Sequence, residues 1–148
     1  MPTIILFGDG NMDTFSVIMR YSRSFLEKRL KQYDINYNEQ IMIMYISKNE
    51  YTNQDNIAKN FMTDKGTVAK AIKKLEEKGL IIRKENPSNK RENIITLSTK
   101  GQDIICYMNK LLIEWQEIVF KDFSEEEIDQ MKKLAGKVLK NIASEEDR

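Results

Sequence analysis

Lys65, Gly66, Thr67, Lys70 and Lys74 fall off the apolar stripe of a helical pattern, and Lys90 and Arg91 follow in a polar loop. Cations at this spacing do no covalent chemistry; they hold phosphates or the edges of bases. Lys70 and Lys74 can reach guanine or phosphate, Thr67 can donate to a base edge or touch a thymine methyl, and Gly66 lets a backbone approach closely. Lys90 and Arg91 suit a phosphate or a narrow minor groove, where negative potential concentrates. The plainer reading is a solvated helix face and a charged loop that blunts a strand edge. Covalent catalysis has little to work with. The chain has no His and one Cys, Cys106, so a Ser-His-Asp triad, a Cys-His pair and an H-E-x-x-H zinc helix are impossible. Glu126 and Glu127 sit at a helix start, where capping explains them. No Gly-rich phosphate loop or nucleophile elbow occurs. No enzyme activity, cofactor or metal is expected.

Charge distribution sharpens the choice. The 148 residues carry 24 basic and 23 acidic side chains. Residues 1–46 balance at 5 and 5, residues 47–101 hold 12 basic against 7 acidic, and residues 102–148 hold 7 against 11. A basic middle between neutral and acidic ends suggests a polyanion-binding segment set in a scaffold. The length suits one domain. A single Cys excludes an intramolecular disulfide. The longest apolar run, residues 41–46, is far below the roughly 20 residues that span a bilayer. With no signal-peptide pattern at the start, a cytoplasmic protein with no membrane partner is expected.

The positioning elements follow from apolar period and caps. Residues 1–11 read as a poorly ordered arm. A long amphipathic helix runs from residue 12 to about 32, its face made by Phe15, Ile18, Met19, Phe25, Leu26 and Leu30. Asn36 and Glu39 have capping-box spacing and start a second helix whose run 41–46 is apolar almost all round, so it should be central. Thr52 and Asp55 signal the next cap, for a short helix over 53–60. Asp64 caps a helix over 65–78 with Val68, Ala71, Ile72 and Leu75 inward, and Gly79 suits its left-handed end. Two β-branched runs, 80–84 and 93–97, predict a hairpin around a long loop with a basic tip. Ser98 and Thr99 can cap a fifth helix of about 22 residues. Ser124 with Glu127 is a capping box for a last helix carrying Ile128, Met131, Leu134, Ala135, Val138, Leu139 and Ile142.

Short helix, turn, second helix and hairpin is the order of a helix-turn-helix with a wing, whose second helix enters the major groove. From Thr52 to Gly101 the chain resembles the MarR family of winged-helix transcription regulators. The resemblance rests on Asp64-Lys65-Gly66-Thr67-Val68-Ala69-Lys70, Leu75-Glu76-Glu77-Lys78-Gly79-Leu80-Ile81-Ile82-Arg83, Asn86-Pro87-Ser88-Asn89-Lys90-Arg91 and Ile95-Thr96-Leu97-Ser98-Thr99-Lys100-Gly101. With the flanking helices it covers residues 12–143. Where the family has an Asp two residues before the wing Arg, this chain has Asn89, and a less rigid loop is expected.

The resemblance implies a mainly α fold with a small β-wing: a single domain over 1–148, with a DNA-binding lobe over 50–98 and a helical dimerisation platform from 12–47 and 99–146. It implies a homodimer on double-stranded DNA at an inverted-repeat operator, repressing transcription until a small, phenolic or otherwise anionic ligand binds. Arg20, Tyr33, Tyr37, Met44, Tyr45 and Met62 are the residues expected near that ligand, although core packing accounts for them more simply. A redox branch of the family uses a Cys near the N-terminus; Cys106, beside Ile104 and Ile105, is expected instead to be an inert core thiol. The competing function is a protein-interaction module whose basic face is incidental.

Overall fold

The computed structural model describes residues 14–146; the arm expected over 1–11 lies outside them. The fold is mainly helical with one two-stranded antiparallel sheet. The chain divides into two compact units, residues 1–111 and 112–148. The boundary falls inside the fifth helix.

In the first unit, α1 (Thr14–Leu30) buries Leu26 and Leu30. It passes into one 3-10 turn, Lys31–Tyr33, and stops at Asp34, whose φ of 54° is left-handed. Asp tolerates that region better than most residues because its short polar side chain bonds locally. Next, α2 (Tyr37–Lys48) begins at the expected capping box. The Asn36 side chain accepts the Glu39 N–H and the Glu39 carboxylate accepts the Asn36 N–H, both at 3.0 Å. Of the run expected to be wholly central, Met42, Ile43 and Ile46 are buried, and Ile41, Met44 and Tyr45 only partly so.

The cap of α3 (Gln54–Asn60) is Asn53, not Thr52: the Asn53 Oδ1 accepts the Asn56 N–H at 2.8 Å. Thr52 is committed elsewhere. Its carbonyl accepts the Ile95 N–H at 2.7 Å, forming a single bridge beside the sheet. A turn leads to α4 (Lys65–Glu77), which buries Val68, Ile72 and Leu75 at helical spacing and leaves Ala71 half-buried. Gly79 follows at φ 71°, where a side chain would be strained.

The hairpin differs from expectation. Strands β1 (Ile81–Asn86) and β2 (Asn89–Leu97) run on to a tight turn at Pro87 and Ser88, so there is no long loop. Asn86 closes the turn by accepting the Ser88 N–H at 3.0 Å. Pairing is regular from Ile81 with Leu97 to Glu85 with Asn93, then slips to Asn86 with Asn89. The slip leaves Lys90, Arg91 and Glu92 as a bulge in β2, not a loop tip.

The first part of α5 (Thr99–Val119) buries Gly101, Ile104, Met108 and Leu111. A Cβ on Gly101 would lie 2.1 Å from the Leu80 carbonyl oxygen, so the helix start sits directly on the backbone that leads into the wing. Ser98 locks this junction. Its hydroxyl donates to the Gly79 carbonyl at 2.6 Å and accepts the Gly101 N–H at 3.0 Å. Cys106 is exposed, which corrects the expected core thiol. At 100° per residue it points away from the face set by Ile104, Met108 and Leu111.

In the second unit, Phe120 meets Phe123 edge-on at 5.8 Å. The capping box forms as expected at the start of α6 (Glu125–Glu146): the Ser124 N–H donates to the Glu127 carboxylate at 2.8 Å, and Ser124 Oγ accepts the Glu127 N–H at 3.2 Å. Met131, Leu134, Val138, Leu139 and Ile142 are all exposed.

The Gly101 contact is with backbone, which cannot rotate away. Gly101→Ala should therefore destabilise the protein by about 2 kcal/mol or more, lowering the midpoint of thermal unfolding by roughly 5 °C or more. An unchanged melting curve would contradict the close approach.

Candidate nucleic-acid interface

The basic face is built on α4, whose start is fixed by Asp64. One carboxylate oxygen accepts the Thr67 N–H at 2.9 Å and the other accepts the Thr67 hydroxyl at 2.6 Å. These two bonds, the hydroxyl first, hold the Asp64 carboxyl below its ordinary value of 3.8. The Thr67 proton is therefore spent within the protein. Toward a base, Thr67 offers its methyl and an oxygen lone pair, not the donor expected from its type. Gly66 lies in the same turn, where a Cβ would come 3.1 Å from the Asp64 carboxylate.

The cations separate into paired and free. Lys65 is 2.9 Å from Asp55 on α3, and Lys73 is 3.8 Å from Glu77. Lys70 and Lys74 are exposed, and they form no ion pair with the described residues. Surface pairs such as Lys65 with Asp55 are worth only about 0–1 kcal/mol, so Lys65 can still be released to a polyanion.

Lys90 and Arg91 are exposed in the β2 bulge. The Asn89 side chain accepts the Arg91 N–H at 3.2 Å, so the Asn that replaces the family's Asp still fixes the local backbone. Arg91 borders a cleft of about 230 Å3 with Gln54 and Asp55 of α3 and Arg83 of β1. Asp55 is the partner of Lys65, so the cleft brings the starts of α3 and α4 to the wing. Arg83 Nε lies 3.0 Å from the Glu76 carboxylate and ties β1 to α4.

At the other end of α4, Lys78 reaches the buried Glu39 carboxylate at 2.9 and 3.0 Å, and also the Asp34 carbonyl. Burial disfavours the Lys78 charge, but the bonds to Glu39 and then Asp34 outweigh it and hold the ammonium above its ordinary 10.5. Nothing in the sequence pairs residues 39 positions apart, so the local pattern marks Lys78 only as part of a helix end.

Of the six residues expected near a ligand, four contact rings or cations outside the set. Tyr33 packs on Tyr107 at 5.3 Å, Tyr37 lies under Arg23 at 4.7 Å, and Tyr45 meets Phe61 edge-on at 5.4 Å. Arg20 lies 5.8 Å from the Tyr21 ring, Met44 is half-buried, and Met62 is 77% exposed in a left-handed turn. Aromatic side chains gain more from close ring pairs than from lining an open space. A cavity of about 280 Å3 lies between α2 and the start of α4, lined by Asn38, Ile41, Met42, Phe61, Thr63, Thr67, Val68 and Ala71. Among the described residues no cluster of His, Cys, Asp and Glu is arranged to hold a metal ion.

Comparison with known proteins agrees with this architecture. The MarR family model matches residues 36–93. The HTH-type transcriptional regulator SarZ of Staphylococcus saprophyticus is 31% identical over 116 residues, 76% of this chain and 77% of SarZ. The crystal structure of MarR superposes with a TM-score of 0.78 at 27% identity, covering 93% of this chain and 96% of that one. A MarR-family structure from Listeria monocytogenes complexed with 26mer DNA gives 0.77 at 28% identity, covering 88% and 87%.

Because the ionised form of Asp64 is the one that accepts both bonds, its contribution is complete above the ordinary value of 3.8 and fades as pH falls through the lower, folded value. A carboxyl-carbon NMR titration should give Asp64 a midpoint below 3.8, and Thr67→Ala should raise it. A midpoint at or above the ordinary value would contradict the cap geometry.

Proposed function

Because this chain belongs to the MarR family, we propose that it is a homodimeric, sequence-specific binder of double-stranded DNA that represses transcription until a small ligand releases it. The observation that carries this reading is the pair of unengaged cations, Lys70 and Lys74, on a helix whose start is capped by Asp64 and flanked by the wing cations Lys90 and Arg91. In this reading α4 is the recognition helix and enters the major groove, with Thr67 against a thymine methyl and Lys70 and Lys74 on guanine or phosphate. Lys65 exchanges Asp55 for phosphate, Gly66 allows close approach, and the wing lies over the neighbouring backbone or minor groove. The surplus of five positive charges over residues 47–101 favours a polyanionic partner. The related Listeria structure complexed with 26mer DNA supports the same partner.

Dimerisation is supported by apolar surface that a lone chain leaves in water. On α6, Leu134 is 61% and Leu139 68% exposed. Phe15, Ile18 and Met19 on α1 are also exposed. Apolar stripes of this length on long helices suit an intersubunit bundle. A two-fold pair would set recognition helices about one DNA turn apart, roughly 34 Å, and so calls for an inverted-repeat operator. Such a regulator works where the DNA is, in the cytoplasm, and no helix among the described residues is long and apolar enough to cross a membrane.

For the ligand, the reading moves from the expected aromatic residues to the cavity between α2 and α4. Its volume, about 280 Å3, suits a compound of about one ring. Thr67 belongs both to its lining and to the Asp64 cap, so an occupant would act directly on the start of the recognition helix.

Selection from random duplex DNA should recover an inverted repeat. Affinity should fall steeply with salt, and Arg91→Ala should weaken binding while reducing the log–log salt slope by about 1. No selected duplex, or salt-insensitive affinity, would contradict the reading. In sedimentation at micromolar concentration the wild type should be a dimer and Leu134→Glu with Leu139→Glu a monomer. A monomeric wild type would remove the two-fold geometry.

A further inference from the structure

The β2 bulge poses a mechanical problem. Lys90, Arg91 and Glu92 fall outside the regular register, so the ladder does not fix their orientation. The bond from Arg91 N–H to Asn89 orders the backbone within the wing but ties it to nothing else. A second bond does: the Asn53 side-chain amide donates to the Glu92 carboxylate at 3.3 Å, across 39 residues. Asn53 is suited to this because its two side-chain atoms do different work. Its oxygen caps α3 by accepting the Asn56 N–H, which leaves its NH2 group directed outward to the wing. Glu92 and Arg91 border the same cleft beside α3.

We propose that Glu92 is a positioning residue: anchored by Asn53, it braces the wing bulge against the start of α3 and so holds Arg91 in place for DNA. The DNA half of this statement rests on the reading under Proposed function. The brace gives Glu92 an effect opposite in sign to its charge. A carboxylate beside a DNA-binding cation repels phosphate, so electrostatics alone says that removing it tightens binding. The brace says that removing it loosens binding, because Arg91 must then be ordered at the moment of contact.

The test uses the full chain in four variants: Glu92→Ala, Glu92→Gln, Asn53→Asp, and the last two combined. Gln keeps an acceptor for the Asn53 amide without the charge. Asn53→Asp keeps the α3 cap but sets two carboxylates against each other, and adding Glu92→Gln restores a donor. Two quantities are read. One is the 15N-relaxation order parameter of the Arg91 amide without DNA. The other is the dissociation constant for a duplex selected by the wild type. Glu92→Ala and Asn53→Asp should loosen the Arg91 amide toward values below about 0.6 and weaken DNA binding about three- to tenfold. Glu92→Gln should keep the order and bind as tightly as the wild type or more so, and the combined variant should recover both. Tighter binding by Glu92→Ala, or failure of the combined variant to recover, would overturn the proposal. If the wild type captures no duplex, the DNA reading fails separately. The relaxation arm then judges the brace alone, and an unchanged Arg91 amide in Glu92→Ala would overturn it.

Discussion

The Glu39 carboxylate, on a residue only 4% exposed, holds two helices at once. It caps α2 through the Asn36 N–H and takes the Lys78 ammonium from the end of α4. A buried charge is tolerated only when its partners satisfy it, and removing one partner of such a pair costs roughly 3–5 kcal/mol. The same corner gathers further bonds: Lys100 donates to the Lys78 carbonyl at 2.9 Å, and Ser98 donates to that of Gly79. The C-terminal end of α4 is thus bound to the starts of α2 and α5. Its N-terminal end, held by Asp64, is left facing outward. A helix pinned at its rear and capped at its front can present side chains to a groove without reordering itself on contact.

Electrostatic bookkeeping then decides which side chains are available. Of the cations on and around α4, Lys78 is consumed by Glu39 and Arg83 by Glu76, while Lys65 and Lys73 form exposed pairs with Asp55 and Glu77 that a polyanion can displace. Lys70, Lys74, Lys90 and Arg91 remain exposed. This sorting matters more than the net charge. Paired cations orient the elements, and the exposed ones would set the affinity of this surface for a polyanion and its dependence on salt.

Local chemistry was legible in the sequence. The Asn36–Glu39 and Ser124–Glu127 capping boxes, the Asp64 cap, the buried stripe of α4 and the left-handed Gly79 each depend on residues within a few positions of one another. Contacts between distant residues were not. The Lys78–Glu39 and Asn53–Glu92 bonds each span 39 residues and leave no periodic trace. The cap of α3 lies at Asn53, one residue past the expected Thr52, because Thr52 is drawn into a bridge with Ile95, and β2 runs through residues 89–92, whose polar types suit a loop as well as a strand. Tyr33 and Tyr45 are committed to ring pairs with Tyr107 and Phe61, partners distant in sequence, and Cys106 lies on the solvent side of a helix whose apolar neighbours face inward.

The claim that joins these observations is that α4 lies in the major groove, twice per DNA site. Cleavage mapping measures this directly. A DNA-cutting iron chelate would be attached at Lys70→Cys in a chain whose native thiol is removed by Cys106→Ser, bound to a duplex selected by the wild type. The account predicts two clusters of major-groove cuts, centred about ten base pairs apart. Cuts spread evenly along the duplex, or absent while the protein stays bound, would contradict it.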